Sequence, residues 1–207
     1  MMVEVPPASL SKFGGSKFSI VEQAGPHVWF LILNAKEGPF ANKKVRQAAN
    51  YAINKQAIVN DVLEGTAAIA AGPTPPAFAW AYNNSLQPYP YDPAKAKALI
   101  KEAGVEGAKL TFYVTEGGSG MLDPVAMGTA IQADLKAVGF DVEIKTFEWN
   151  SFLGEVNPGL EGKADMAEMA WMTNDPDTLP FLALRTESWP DKGCLLYTSD
   201  AADEVDG

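Results

Sequence analysis

Between Pro39 and Gly65 the chain carries two capped amphipathic segments in tandem, and no other stretch constrains its fold as tightly. Asn42 is a short acceptor suited to the free N–H groups of a first helical turn. After it Val45, Ala48, Ala49, Ala52 and Ile53 recur at i, i+3, i+4, i+7 and i+8, a single apolar helix face. Asn54 is placed to cap a second helix with Ile58, Val59, Val62 and Leu63 inward, and Gly65 to end it in the left-handed conformation. Short helices with one apolar face each must pack on something larger. The spacing therefore dictates packing, and by itself says nothing of function.

The rest of the chain supplies that body. Ala8–Phe13 predicts a short helix, Phe18–Val21 a strand, and His27–Asn34 a second, buried strand. Residues 66–91 hold Pro73, Pro75, Pro76, Pro88 and Pro90, and predict a long irregular connection. Asp92-Pro93 opens a helix with Ala96, Leu99, Ile100 and Ala103 inward, closed by Gly104. Leu110, Phe112 and Val114 alternate as a strand. Asp123-Pro124 caps a further helix with Met127, Ala130, Ile131, Leu135 and Val138 inward, ended by Gly139. Phe140, Val142 and Ile144 alternate again, Asn150 is placed to cap a short helix, and Ala164–Met172 reads as a strand entering the turn Asn174-Asp175-Pro176-Asp177. Strands alternating with helices predict an α/β fold.

Composition narrows the functions. A net charge of −10 leaves no basic stripe to neutralise phosphates, so nucleic acid is not an expected partner. No apolar run is long enough to span a membrane. Cys194 is the one cysteine and His27 the one histidine. No disulfide, metal centre or nucleophile–base pair is expected from them, and neither a cofactor nor a catalytic residue is assigned. An α/β hydrolase, the alternative of another class, lacks a Gly-x-Ser-x-Gly elbow. His27, beside Pro26 and Val28, reads as a surface or strand-edge residue.

Two strand ends are the candidate binding loops, because ligands of open α/β sheets sit beyond the carboxyl ends of strands. Thr115–Met121 contains Gly117, Gly118 and Gly120, where backbone can approach a bound group, and Ser119, a donor and acceptor. It lacks the Lys-Ser/Thr of a nucleotide loop, and a plain turn is the simpler reading. In Ala170–Asp177, Trp171 is placed either to stack on a ligand or to sit in the core. Asp175 and Asp177 flank a proline as turn formers, without a third convergent carboxylate or histidine to make a metal or acid–base site. Glu168, among Ala167, Met169 and Ala170, is expected either to face solvent at a sheet edge or to line a cleft.

Pro39-Phe40, Val45-Arg46-Gln47-Ala48, Tyr51-Ala52-Ile53, Ile58, Val62 and Gly65 resemble the signature of the family 5 extracellular solute-binding proteins, receptors of ATP-binding-cassette importers. Asn54 stands where that pattern has Asp. The resemblance extends through Gly72–Pro76, Tyr91–Leu99, Ile131–Leu135 and Trp171–Asp177, over roughly residues 2–193. It implies a fragment of a two-lobed periplasmic-binding-protein-like fold (type II, cluster C), with residues 1–37 as strand segments joining the lobes and 38–193 as a partial solute-binding lobe. It also implies a periplasmic or extracellular protein that captures a peptide or similar polar solute and delivers it to ABC permease subunits, with a saccharide or other non-peptide solute as the alternative.

The residues the resemblance assigns to the ligand are Trp171, Met172, Thr173, Asn174, Asp175, Gly118, Ser119 and Gly120. Peptide binders carry an aspartate three residues after the tryptophan, facing the ligand's amino terminus; here that position is Asn174. A neutral amide forgoes a charge-assisted bond of about 1.5–3 kcal/mol for one near 1 kcal/mol. Dipeptide binders tend to have an Arg-x-Tyr pair where this chain has Gly118-Ser119-Gly120.

The last stretch reads differently. Cys194–Glu204 resembles the translation of a sequencing adapter read through from a short insert, and residues 194–207 are expected to be a non-native tail. Without their four acidic residues the acids fall from 26 to 22 against 16 bases, a charge of −6. The N-terminus lacks the basic and apolar regions of an export signal, so the front of the protein is expected to be missing. The 207-residue chain alone should then expose surfaces meant for burial and be poorly soluble or molten. A cooperative thermal melt together with sub-micromolar solute binding by that chain would contradict this.

Overall fold

The computed structural model describes residues 5–14, 17–22, 25–118, 120–172 and 174–184. Four strands, β1 (His27–Leu33), β2 (Lys109–Thr115), β3 (Asp141–Phe147) and β4 (Met166–Met172), form one sheet in the order β1-β4-β2-β3. β2 runs parallel to β3 and β4, and β1 antiparallel to β4. This is the expected α/β class, with its outer strand β1 drawn from within residues 1–37.

β2 explains the layering. Leu110, Phe112 and Val114 are buried on one face and Tyr113 on the other. A strand apolar on both sides needs cover on both. On the first face lie α1 (Lys43–Ala52), α3 (Pro93–Ala103) and α4 (Pro124–Ala137), bringing Val45, Ala49, Ile100, Ile131 and Leu135 into one cluster. On the second lies α5 (Trp149–Val156), with Phe152, Val156 and Leu160 around Tyr113 and Met169.

The tandem helices form as their caps direct. Asn42 accepts from the Lys44 N–H at 2.9 Å, and Asn54 from the Ala57 N–H at 3.0 Å. After Lys55–Ala57 (α2) the coil widens to a π turn over Ile58–Val62, and Gly65 has φ of 76°. Arg46 is buried and donates through Nη1 to the carbonyls of Phe40 (2.9 Å) and Ala41 (3.3 Å), fastening the turn before α1. The Asn54 N–H donates to Asp134 on α4 at 2.8 Å, so the corner is tied to the helix beside it. Asp92 and Asp123 cap α3 and α4, and residues 66–92 hold no helix or strand.

Two local expectations fail. Phe18–Val21 is not a strand: among the described residues no strand pairs with it, Phe18, Ile20 and Val21 are exposed, and Phe18 packs edge-on against Phe13. At α5 the cap is Glu148, whose carboxylate accepts from the N–H groups of Asn150 (2.9 Å) and Ser151 (3.3 Å), and Asn150 sits inside the first turn. A carboxylate at a helix start also gains from the helix dipole.

In the full-length protein Phe112→Ala, at the centre of the buried strand, is expected to cost about 3–5 kcal/mol. Asn42→Ala, which removes one cap, is expected to cost about 1 kcal/mol. Urea unfolding measures both.

Candidate functional site

The two candidate loops leave the carboxyl ends of the parallel strands β2 and β4, at the same end of the sheet. His27 joins them: it pairs in register with Met172 at the end of β4, while its ring lies against Gly120 in the loop after β2. On the other side of that loop the Trp149 indole lies against Gly118. A Cβ at Gly118 would fall 2.4 Å from the Trp149 ring, and one at Gly120 would fall 2.4 Å from His27 Cδ2. Gly120 also has φ of 76°, where a side chain is strained. The close approach these glycines allow is thus to the protein's own rings. Sequence reasoning missed both rings, since contact across separate elements leaves no local pattern.

Trp171 is half-buried and packs with the α5-side cluster, so its body belongs to the core while Met172 beyond it is 51% exposed. Asn174 and Asp175 are exposed. Asp175 Oδ1 accepts from the Asp177 N–H at 2.9 Å, an Asx turn, and leaves its other carboxylate oxygen to the surface. Thr173 and Ser119 lie outside the described residues, as does Cys194 with the adapter-like tail.

Beneath the loops the sheet divides. β2 and β4 pair only at Phe112↔Met166 and Tyr113↔Ala167. Beyond that point β2 stays with β3 as far as Thr115↔Phe147, and β4 stays with β1 as far as Met172↔His27. The carboxyl ends of two adjacent parallel strands are left unpaired with each other, a notch. Glu168 spans it. Its Oε1 accepts from the Thr115 N–H at 2.9 Å.

This overturns the expectation of a solvent-facing edge position for Glu168. β4 is an interior strand, flanked by β1 and β2, and Glu168 is 0% exposed. Burial pushes its carboxyl up to about 8, partly opposed by the Thr115 hydrogen bond. The group is therefore mostly neutral at pH 7. Its Oε2 has no partner, nor has the Trp29 Nε1 on β1, paired with Ala170 two residues along. Each unpartnered buried group costs about 1–3 kcal/mol.

Two cavities lie at the opposite end of the parallel strands. One of about 260 Å³ is lined by Asn34, Glu37, Gly38 and Asp165. There Asp165 Oδ2 accepts from the Thr111 N–H at 2.7 Å, and burial raises its carboxyl, with Glu37 adding to the effect. Asn34 donates to Glu37 and to the Ala164 carbonyl, and Glu37 accepts from the Gly162 N–H. These groups satisfy one another and tie the start of β4 to the end of β1. The other cavity, about 560 Å³, is a groove between α4 and the first residues of β2 and β3. Among the described residues no group of three or more His, Cys, Asp or Glu is placed to hold a metal, and no helix is long and apolar enough to cross a membrane.

Residues 1–192 match the profile of the bacterial extracellular solute-binding proteins, family 5. The chain is 35% identical over 169 residues to heme-binding protein A of Haemophilus influenzae, spanning 81% of this chain and 30% of that protein. It is equally 35% identical over 181 residues to the dipeptide-binding protein of Escherichia coli, spanning 86% and 33%. Among solved structures, it is similar to an ABC transporter-associated periplasmic binding protein from Helicobacter pylori in complex with the peptide STSA. That match has a TM-score of 0.74 at 34% identity, over 86% of this chain and 33% of the other. A dipeptide-binding protein from Pseudoalteromonas in complex with Met-Leu gives a TM-score of 0.78 at 26% identity, over 92% and 38%. The chain spans about a third of the length of these relatives.

A raised carboxyl favours the fold while it stays protonated. The Glu168 contribution is complete below the ordinary carboxylate range, near 4.5, and is lost as pH rises toward about 8. Thermal midpoints of the parent and Glu168→Gln, compared from pH 4.5 to 9, should therefore show a fall in the parent that the variant lacks; parallel curves would contradict it. Gly118→Ala is expected to lower the midpoint by several degrees and to change Trp149 emission, read by fluorescence-monitored melting.

Proposed function

The chain belongs to family 5 of the bacterial extracellular solute-binding proteins, and from that membership we propose that it is the substrate-binding part of an ABC importer, capturing a peptide at the carboxyl-end notch and presenting it to membrane permease subunits. The family consists of transport-associated binding proteins, and catalysis forms no part of this reading. The observation that carries it is that His27 pairs with Met172 at the end of β4 while its ring lies against Gly120 in the loop after β2, so the two strand ends share one neighbour.

The chemistry of that end suits an extended peptide. Past the last mutual β2–β4 pair the strand ends reach solvent at Glu116 and Met172, where we expect the main chain of a ligand to approach. Met172 presents apolar surface to a side chain, and Trp171 stands behind it. Glu116, Asp175 and Asp177 are exposed carboxylates around the same end, complementary to a peptide's ammonium group. Gly118, Gly120 and the exposed Asn174 belong to the same two segments. In the intact two-lobed receptor a second lobe would close over this surface by hinge motion.

Identity alone does not choose the solute, since the heme-binding and dipeptide-binding relatives are equally similar. Asn174 supports a second reading. Where peptide binders place a carboxylate, its neutral amide suits a saccharide or another uncharged polar solute.

Titration calorimetry of the full-length protein with Met-Leu and Ser-Thr-Ser-Ala separates the two. We expect peptide binding, weakened about tenfold or more by Trp171→Ala, as for loss of a buried aromatic contact. Heat from neutral saccharides with none from either peptide would reverse the assignment.

A further inference from the structure

We propose that Glu168 is a positioning residue of the solute site, a side-chain strut that replaces the next β2–β4 ladder bond and holds the carboxyl ends of the two strands apart. The inference rests on the reading of the notch as the solute site. It stands first on register. After Tyr113↔Ala167 the next pair would bring Val114 opposite Glu168 and carry the Thr115 N–H to the main chain of β4. Instead that N–H donates to the Glu168 side chain. Each strand keeps its other neighbour for the rest of its length, so the opening is confined to this one seam.

The residue type is the second argument. The position is wholly buried on the face shared with Phe112, Val114 and Met166, where an apolar side chain would pack without penalty. A carboxyl there leaves Oε2 without a partner, and Trp29 Nε1 one strand away is in the same condition. Violations of local consistency of this kind concentrate where function requires them. What the carboxyl supplies here is length and an acceptor: it reaches the Thr115 N–H without bringing the backbones together. The two loops that start at Thr115 and after Met172 are thereby set at a fixed separation.

Two substitutions in the full-length protein test this. Glu168→Gln keeps the acceptor and the length; Glu168→Met keeps the volume and removes the acceptor. With Met-Leu and Ser-Thr-Ser-Ala as probes, Glu168→Gln is expected to bind within about threefold of the parent. Glu168→Met is expected to melt at or above the parent temperature, because an apolar isostere replaces a buried polar group, yet to bind about tenfold more weakly. Stability and affinity then move in opposite directions, which a merely structural role does not produce.

A crystal structure of Glu168→Met gives a readout independent of any ligand. The β2–β4 ladder should extend past Tyr113↔Ala167, with the Thr115 N–H donating to a main-chain carbonyl of β4. An unchanged notch in that structure, or parent-like affinity in Glu168→Met, overturns the inference, as does parallel loss of stability and affinity in both variants. If the parent binds neither peptide, the ligand reading fails, and the ladder in Glu168→Met still decides the role of the strut.

Discussion

The architecture follows from one strand being buried on both faces. β2 sends Leu110, Phe112 and Val114 to one side and Tyr113 to the other, so neither side can be left to water. Helices α1, α3 and α4 must cover one face and α5 the other. The helix–strand–helix order then brings β3 and β4 to either side of β2, parallel to it, and their carboxyl ends to one end of the molecule. The candidate loops are the continuations of β2 and β4 at that end. That they leave from one end is a consequence of covering β2, and His27 links the two.

The proposed solute end is not where the two cavities described above lie. Asn34, Glu37 and Asp165 line an open depression, and their hydrogen bonds are made mutually and to nearby backbone. That pattern closes a junction between β1 and β4 and leaves little to offer a guest. The carboxyl end instead carries exposed carboxylates and an exposed methionine.

How much of this was legible in the sequence depended on the range of the interaction. Caps act over three or four residues, and Asn42, Asn54, Asp92 and Asp123 all do what their positions suggest. The alternation of Leu110, Phe112 and Val114, and the inward faces of α1 and α4, likewise survive into the structure. Phe18–Val21 alternates well enough but has no partner strand among the described residues, and pairing is not a local property. Glu168 was misread for the same reason: whether β4 is an edge is decided by β1, more than 130 residues earlier. The glycines of Thr115–Met121 were legible as places of close approach. That they approach Trp149 and His27 depends on three separate segments and could not be read from the loop.

The central claim is that the notch between β2 and β4 is where solute binds. A crystal structure of the full-length protein with Ser-Thr-Ser-Ala tests it most directly. The account predicts the peptide extended across the carboxyl ends of β2 and β4, in contact with residues 117–120 and with Trp171–Asp175. Peptide lodged instead at the Asn34–Asp165 cavity, or in the groove beside α4, would contradict it.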